Sequence, residues 1–383
     1  MPTYTVNIHS RMAEIDQSDW DALVGDGSPF LEWDWLDGLE RTGCVSPETG
    51  WVPQHVVVKD GERMVAACPL YIKSHSQGEF VFDHQWAHAA RSAGIAYYPK
   101  MLVAVPFTPA TGIRLMTAPG ADRPALVALM GGALLKMCEQ TGLSSVHVNF
   151  CGADEISPLR EAGFLERVGM QYHWENHGFQ EFEDYLRLFR SKRRNKLRRE
   201  IREMDDMGIE ISVASGNDIE DHLFPILYEL YKTHIEKLYW GQLYLNQAFF
   251  EHLANRFKRN LCFITASYQG RIVAGTFNVQ KNGVFYGRYW GAFEDLRYLH
   301  FNVCYYAAID HCIRTGIHRF EPGAGGDFKQ LRGFEARLTH SMHHLRHPAL
   351  NKAVSEFLQS EREHMQQSAD WINANSQYKP QHQ

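Results

Sequence analysis

Apolar and polar positions along the chain fall into a pattern that occurs twice. Around Gly61 and again around Gly270, short apolar runs flank a polar turn, which reads as strand, turn, strand; small residues follow in each second strand, Ala66-Ala67 and Ala274-Gly275. Farther on, helical spacing over residues 125–140 and 299–314 ends at Thr141-Gly142 and Thr315-Gly316, where glycine suits a helix C-cap. A strand follows in both places, then a loop and a turn at Gly163-Phe164 or Gly333-Phe334. The matching order predicts a duplication: an α/β (α+β) chain of two tandem domains with mixed central sheets flanked by helices. The boundaries fall at 1–174 and 175–376, with a disordered tail at 377–383. Residues 75–120, rich in glycine, proline and aromatics, read as an elaborated loop of the first domain.

Between the repeats, Leu186, Phe189, Leu197, Ile201 and Met204 recur at helical spacing and predict one helix over 184–206. Residues 190–202 contain eight basic side chains and one acid. At 100° per residue, Lys192, Arg199 and Arg202 point away from the apolar stripe, while Arg190, Arg193 and Arg194 fall on or beside it. Buried unpaired charge is costly, so those three should meet carboxylates or face a cleft that receives an anion. The plain alternative is a solvated helix with a positive bias.

Other patterns mark candidate chemistry. In residues 283–291, alternation puts Phe285, Gly287 and Tyr289 on one face and Tyr286, Arg288 and Trp290 on the other, a cleft-facing set or the setting of a structural ion pair. Residues 98–112 hold prolines that pre-form the backbone, making Tyr98, Lys100 and Thr108 candidate pocket-wall contacts, or only a rigid crossover. Glu321 follows a strand, where ligands of open α/β sheets sit, and is the candidate for taking a proton from an attacking amine; Lys329 ends the same glycine-rich segment. Glu321 could instead pair with Arg288 or Arg193. Four histidines at 340, 343, 344 and 347 have helical metal-site spacing, but residues 338–346 read better as a strand, which leaves only His340 and His344 on one face. Residues 351–373 form an amphipathic helix expected to pack on the second domain.

The 383 residues are 44% hydrophobic and 22% charged, enough for large cores, and the net charge of -6 argues against a generally basic nucleic-acid protein. The seven cysteines are scattered without a C-x-x-C pair, which fits a reducing compartment. No apolar run of membrane-spanning length and no leader pattern is seen, so a cytoplasmic location is expected.

Three segments carry a resemblance: 98–112, Ser191-Lys-Arg-Arg-Asn195, and Gly323-Ala-Gly-Gly-Asp-Phe-Lys329 with Gly333-Phe-Glu335. With the repeat and Tyr172-His-Trp-Glu-Asn176, the chain resembles the Fem-like acyltransferases, built from tandem acetyltransferase-like (GNAT) domains, and the bacterial group labelled peptidoglycan biosynthesis/recognition. The resemblance implies transfer of an acyl or aminoacyl group to an amine, with aminoacyl-tRNA or acyl-CoA as donor. It makes Trp174 a further substrate-binding candidate beside Tyr98, Lys100, Thr108, Arg190, Arg193, Arg194, Tyr286, Arg288, Trp290 and Lys329. The segment 292–300 lacks the usual glycine-rich pyrophosphate turn and carries Glu294 and Asp295, a departure from an ordinary CoA site. A non-catalytic binding module for a phosphate-bearing precursor or RNA, and an acetyl-CoA-dependent N-acetyltransferase, are the alternatives.

Overall fold

A computed structural model describes residues 4–239 and 241–379. The chain divides into two compact units, Met1–Met170 with Leu338–Ser368, and Gln171–Arg337 with Ala369–Gln383. The return of 338–368 to the first unit is invisible to a linear reading with one boundary at 174.

In the first unit, the turn at Gly61 (φ 60°) joins His55–Asp60 to Arg63–Cys68, flanked by Tyr4–His9 and Met116–Thr117 in a four-stranded sheet. A second set runs Trp51–Pro53, Leu70–Lys73, Lys100–Val103, Ser145–Val148, then residues 342–345 of Glu335–Leu345. Only Lys100–Val103 and Ser145–Val148 pair in parallel. Helix Arg123–Thr141 starts where the Asp122 carboxylate accepts from the Ala125 N–H and stops at left-handed Gly142; it buries Leu126, Met130 and Leu134 against the strands. The segment 75–120 is more than a loop: it contains helix His84–Ser92 and the central strand Lys100–Val103.

The second unit repeats this plan. Strands Ile209–Ser215, Leu261–Tyr268, Arg271–Lys281 and Val284–Ala292 form an antiparallel meander, Val284–Ala292 pairs in parallel with Arg319–Glu321, and residues 174–175 of Leu165–Glu175 pair antiparallel beyond it. A helical run from Leu299 to Arg314 packs beneath, with a π-helical turn at Asn302–Tyr306. Thus both units carry a hairpin, a helix, and a parallel pair completed by an antiparallel strand, the duplicated mixed α/β architecture expected from the sequence.

Several expectations change. The basic helix is two helices, Phe182–Leu188 and Ser191–Asp206, because Phe189 and Arg190 take extended ψ values of 148° and 146°. A bulge in Val284–Ala292 pairs Phe277 with Tyr289 but Asn278 with Gly287, so Arg288 is the extra residue. Tyr289 therefore turns to Tyr231, ring centroids 4.6 Å apart, while Trp290 packs with the cluster containing Phe285, reversing the predicted alternation for both. The C-terminal helix Pro348–Ala374 packs Leu350, Val354 and Leu358 with Trp86 and Tyr97 in the first unit, and only its last turns, through Ile372 and Asn373, pack on the second as expected. Of the expected disordered tail, Tyr378 is placed against Phe189 and donates to the Gly333 carbonyl at 2.7 Å; residues 380–383 lie outside the described residues.

The helix Leu223–Glu236 lies so close to the sheet that a Cβ at Gly291 would sit 1.9 Å from the Leu230 carbonyl oxygen. Gly291→Ala should therefore cost about 1–3 kcal/mol through overpacking against backbone that cannot rotate away. A thermal midpoint equal to that of the parent protein would contradict this close approach.

Candidate functional site

The site is built on the second unit's sheet where the parallel pair ends. Tyr286 is the register partner of Glu321, and Phe320 that of Trp174, so one step on places His173 beside Glu321. Side chains alternate between faces along each strand. Phe285, Phe320 and Trp174 point into the core cluster, leaving Tyr286, Glu321 and His173 as a polar row on the opposite face. All three are buried, and His173 Nε2 lies 3.9 Å from Glu321 Oε2. That nitrogen has no hydrogen-bond partner. Burial, reinforced by Arg319, Arg337 and Lys329, pushes the His173 pKa down to about 3, so the imidazole is neutral at pH 7. Arg319 also approaches Glu321 Oε1, at 4.0 Å.

Beyond Tyr286 the bulge carries Arg288, whose guanidinium carbon is 5.3 Å from the Tyr289 ring centre and whose pKa burial lowers. Left-handed Gly323, Gly325 and Gly326 (φ 83°, 72° and 90°) turn the chain after Glu321. Lys329, only 2% exposed, reaches back to donate to the carbonyls of Gly323 (2.8 Å) and Ala324 (3.4 Å). It meets no carboxylate among the described side chains, and burial lowers its pKa to about 8. A cation held under a strand-end loop, a carboxylate and a neutral imidazole are together suited to receiving a proton while steadying negative charge.

Of the basic side chains of helix Ser191–Asp206, Arg193 alone is buried, 8% exposed, with its Nε donating to the Leu331 carbonyl at 2.6 Å. No carboxylate among the described residues pairs with it; Glu200 instead accepts from Arg332 (2.9 Å) and from Tyr306. Arg194 is half-buried and Arg190 exposed. With Lys192, Lys196, Arg199 and Arg202 they form a solvent-facing cationic surface without an ion-pair partner among the described residues. Trp174 is a core residue, fully buried, and Trp290 packs on His300 at the core's edge, so neither lines the polar row.

The three candidates from 98–112 belong to the first unit and lie within its packing. Lys100 is fully buried and donates to Glu79 (2.8 Å), Ser76 (2.9 Å) and Asp83. Tyr98 shares Ser76 at 2.7 Å, and buried Thr108 donates to the Pro106 carbonyl at 2.9 Å. Lys100 is therefore the centre of a buried ion cluster, not a pocket-wall contact. The strand at 335–345 sends its histidines to separate partners: His340 to Glu166 at 2.9 Å, His344 toward the Gly163 carbonyl at 3.4 Å, and His343 to His147.

His147 and His343 occupy the row matching Glu321 and His173. Leu102, His147 and His343 are successive register partners; in the second unit Tyr286 and Glu321 are partners, and His173 lies one step beyond the Phe320–Trp174 pair. Their Nδ1 atoms are 2.7 Å apart, and each Nε2 contacts a serine, Ser145 or Ser341, at 2.8 Å. Burial pushes His147 down to about 3 and His343 well below its ordinary value. These two and His173 stay neutral in the fold, whereas the unfolded chain protonates them below about pH 6.5. Stability is thus unaffected above that pH and falls as the pH drops toward 3, by up to about 1.4 kcal/mol per pH unit for each histidine. Glu79, held up near pH 7 by burial, takes up a proton on folding in the same window and offsets about one of the three. Urea titrations at pH 7.5 and 5 should show the loss; equal midpoints would refute it.

The profile of the FemAB-like family, described as peptidoglycan biosynthesis/recognition, matches residues 11–380. Among solved structures, FemX is similar at 12% identity over 89% of this chain and 98% of its own, with a TM-score of 0.55. L-PGS from Bacillus licheniformis is similar at 11% identity over 90% and 97%, also at 0.55. A conserved protein of unknown function from Bacteroides thetaiotaomicron is similar at 12% over 89% and 100%, at 0.54. At such identities the likeness is one of fold. No curated protein matches the chain. No helix among the described residues is long and apolar enough to cross a membrane. With nearly its whole length matched and the duplicated α/β architecture in place, the chain belongs to the FemAB-like family of peptidoglycan biosynthesis/recognition proteins.

Proposed function

We propose that this protein is an N-acyltransferase that moves an acyl or aminoacyl group onto an amine of a cell-wall precursor, with its reaction centre at Glu321 and His173. The observation that carries this is the buried imidazole nitrogen of His173, neutral and without a hydrogen-bond partner, beside the Glu321 carboxylate. In the reaction the amine nitrogen bonds to the acyl carbon and the donor's ester or thioester bond breaks. The proton lost by the amine passes to the Glu321–His173 pair and then to the leaving hydroxyl or thiol. Lys329 steadies the carbonyl oxygen as it gains charge. Much of the rate comes from holding amine and acyl carbon together.

The basic surface favours a phosphate-rich donor, aminoacyl-tRNA, over acyl-CoA. Glu294 and Asp295, next to the start of the Leu299 helical run, oppose a pyrophosphate there. Reversing Lys192, Lys196 and Arg199 together to glutamate should raise KM for charged tRNA at least about tenfold and flatten its salt dependence, with kcat within about twofold. An unchanged KM would remove the helix from donor binding.

The deciding experiment offers a nucleotide-linked peptidoglycan precursor with charged tRNA or with acyl-CoA, and looks for a new amide by mass spectrometry. Product with charged tRNA, lost on Glu321→Gln, is expected. Precursor binding without product from either donor would make the protein a binding module instead.

A further inference from the structure

The second unit contains a cavity of about 580 Å³, within the range of small-ligand sites. It lies on the face of the sheet opposite Glu321, since Met204, Ile209 and Tyr306 from its lining belong to the cluster that also holds Phe285 and Phe320. The edge strand Ile209–Ser215 contributes Ile209, Ile211 and Val213, alternate residues on one face, and the end of the basic helix contributes Ile201 and Met204.

The polar groups of the lining fall into two sets. Asn302 and Tyr306 are buried and already committed: the Asn302 amide donates to the Glu200 carbonyl at 2.9 Å and the Tyr306 hydroxyl donates to the Glu200 carboxylate. Both belong to the π-helical turn, a rare geometry that recurs at functional sites. The deep part of a ligand therefore finds apolar walls and no unmet donor in these two residues. At the solvent side stand Asp205, Asp310 and Arg314. Arg314 is taken by Asp310 at 2.7 Å, and Asp205 is exposed with no ion-pair partner among the described residues. Within the lining, Asp205 thus adds one negative charge that no other lining residue pairs, above walls formed by Ile201, Met204, Ile209 and Ile211. Val213 is 42% exposed at the same place.

We propose that this cavity binds a small amphiphile with an aliphatic body and a cationic head, a long-chain alkylammonium. The body fills the space between the edge strand and the helix end, and the head meets Asp205. This site is independent of the acyl-transfer reading and needs no turnover to be tested.

Decylammonium, decanoate and decanol share one chain length and differ only in the head. Titrated calorimetrically below their micellar concentrations, decylammonium should bind one-to-one and at least about tenfold more tightly than decanoate, with decanol between them. Asp205→Asn should bring the three within about threefold. Val213→Lys, at an exposed position that leaves the core intact, should reverse the order in favour of decanoate. Equal binding of all three by the parent protein, or no saturable binding of any, would overturn the proposal. So would a preference for decylammonium that survives both substitutions, because the head would then be read elsewhere.

Discussion

Replacing Lys100 by methionine is expected to destabilise the protein by about 3–5 kcal/mol, the range for stripping one partner from a buried ion cluster. The side chain has no exposed surface and holds two carboxylates that are themselves almost fully buried, Glu79 at 4% and Asp83 at 2% exposure. Burial alone would raise both acids. At Asp83 the Lys100 ammonium, helped by His147 and by hydrogen bonds from Lys100 and Ser76, outweighs burial and keeps the carboxylate below its ordinary range. Glu79 stays raised, at about 7. Without the ammonium, both groups must take up protons or remain as uncompensated charge in a low-dielectric interior. Methionine fills nearly the same space, so the loss measures charge and not a cavity. The triple replacement Lys100→Met, Glu79→Gln, Asp83→Asn should recover a large part of it. Denaturant midpoints for the single and triple variants decide the matter: a single variant as stable as the parent would mean that Lys100 is held for binding and not for the fold.

That reversal of role shows where sequence reading stops. Lys100 sits between apolar runs and prolines, and nothing in 98–112 reveals that Glu79 and Asp83 come to it from the chain before helix His84–Ser92. Local signals fared well because they are local. Glycines 61, 142 and 270 stand where positive φ is required, and each marks an element end that the strand and helix periods also mark. The repeat was legible for the same reason. The break at Phe189–Arg190 was not, because the apolar spacing continues across it and only the backbone angles show two helices. The bulge at Arg288 was hidden by regular alternation; its cause lies in the partner strand, where Phe277 and Asn278 skip one residue. His173, within residues 172–176, carries no local signal, because its importance comes from strand order alone. Once Arg319–Glu321 is known to pair with the end of Leu165–Glu175, alternation puts His173 beside Glu321. Glu321 and Tyr286 of the second unit's polar row, with Arg288 on the bulge beyond and Lys329 at the loop, come from two segments joined by the parallel pairing of Val284–Ala292 with Arg319–Glu321.

Glu321→Gln is expected to lower kcat for acyl transfer by about 10²–10⁴-fold, the range associated with removing a positioned proton acceptor, while the fold and precursor binding persist. Glutamine keeps the side chain's size and leaves the 3.9 Å approach to His173 in place, but it cannot take the amine's proton. His173→Gln should cost a similar factor. The informative variant is the double one. If carboxylate and imidazole hand on a single proton, the two losses do not multiply, and the double variant falls little below the worse single one. Losses that multiply would mean two separate tasks, with His173 orienting substrate instead of moving the proton. The pH profile separates the pair from Lys329. Lys329 loses its charge as the pH rises through about 8, so kcat/KM should decline on the alkaline side near that value. Arginine keeps its charge to much higher pH, so Lys329→Arg should shift that decline upward, whereas Glu321→Gln should lower the whole curve without moving it. An alkaline limb that stays in place in Lys329→Arg would assign it to the substrate amine or another group, and Lys329 would be left as a tether for the Gly323–Ala324 turn.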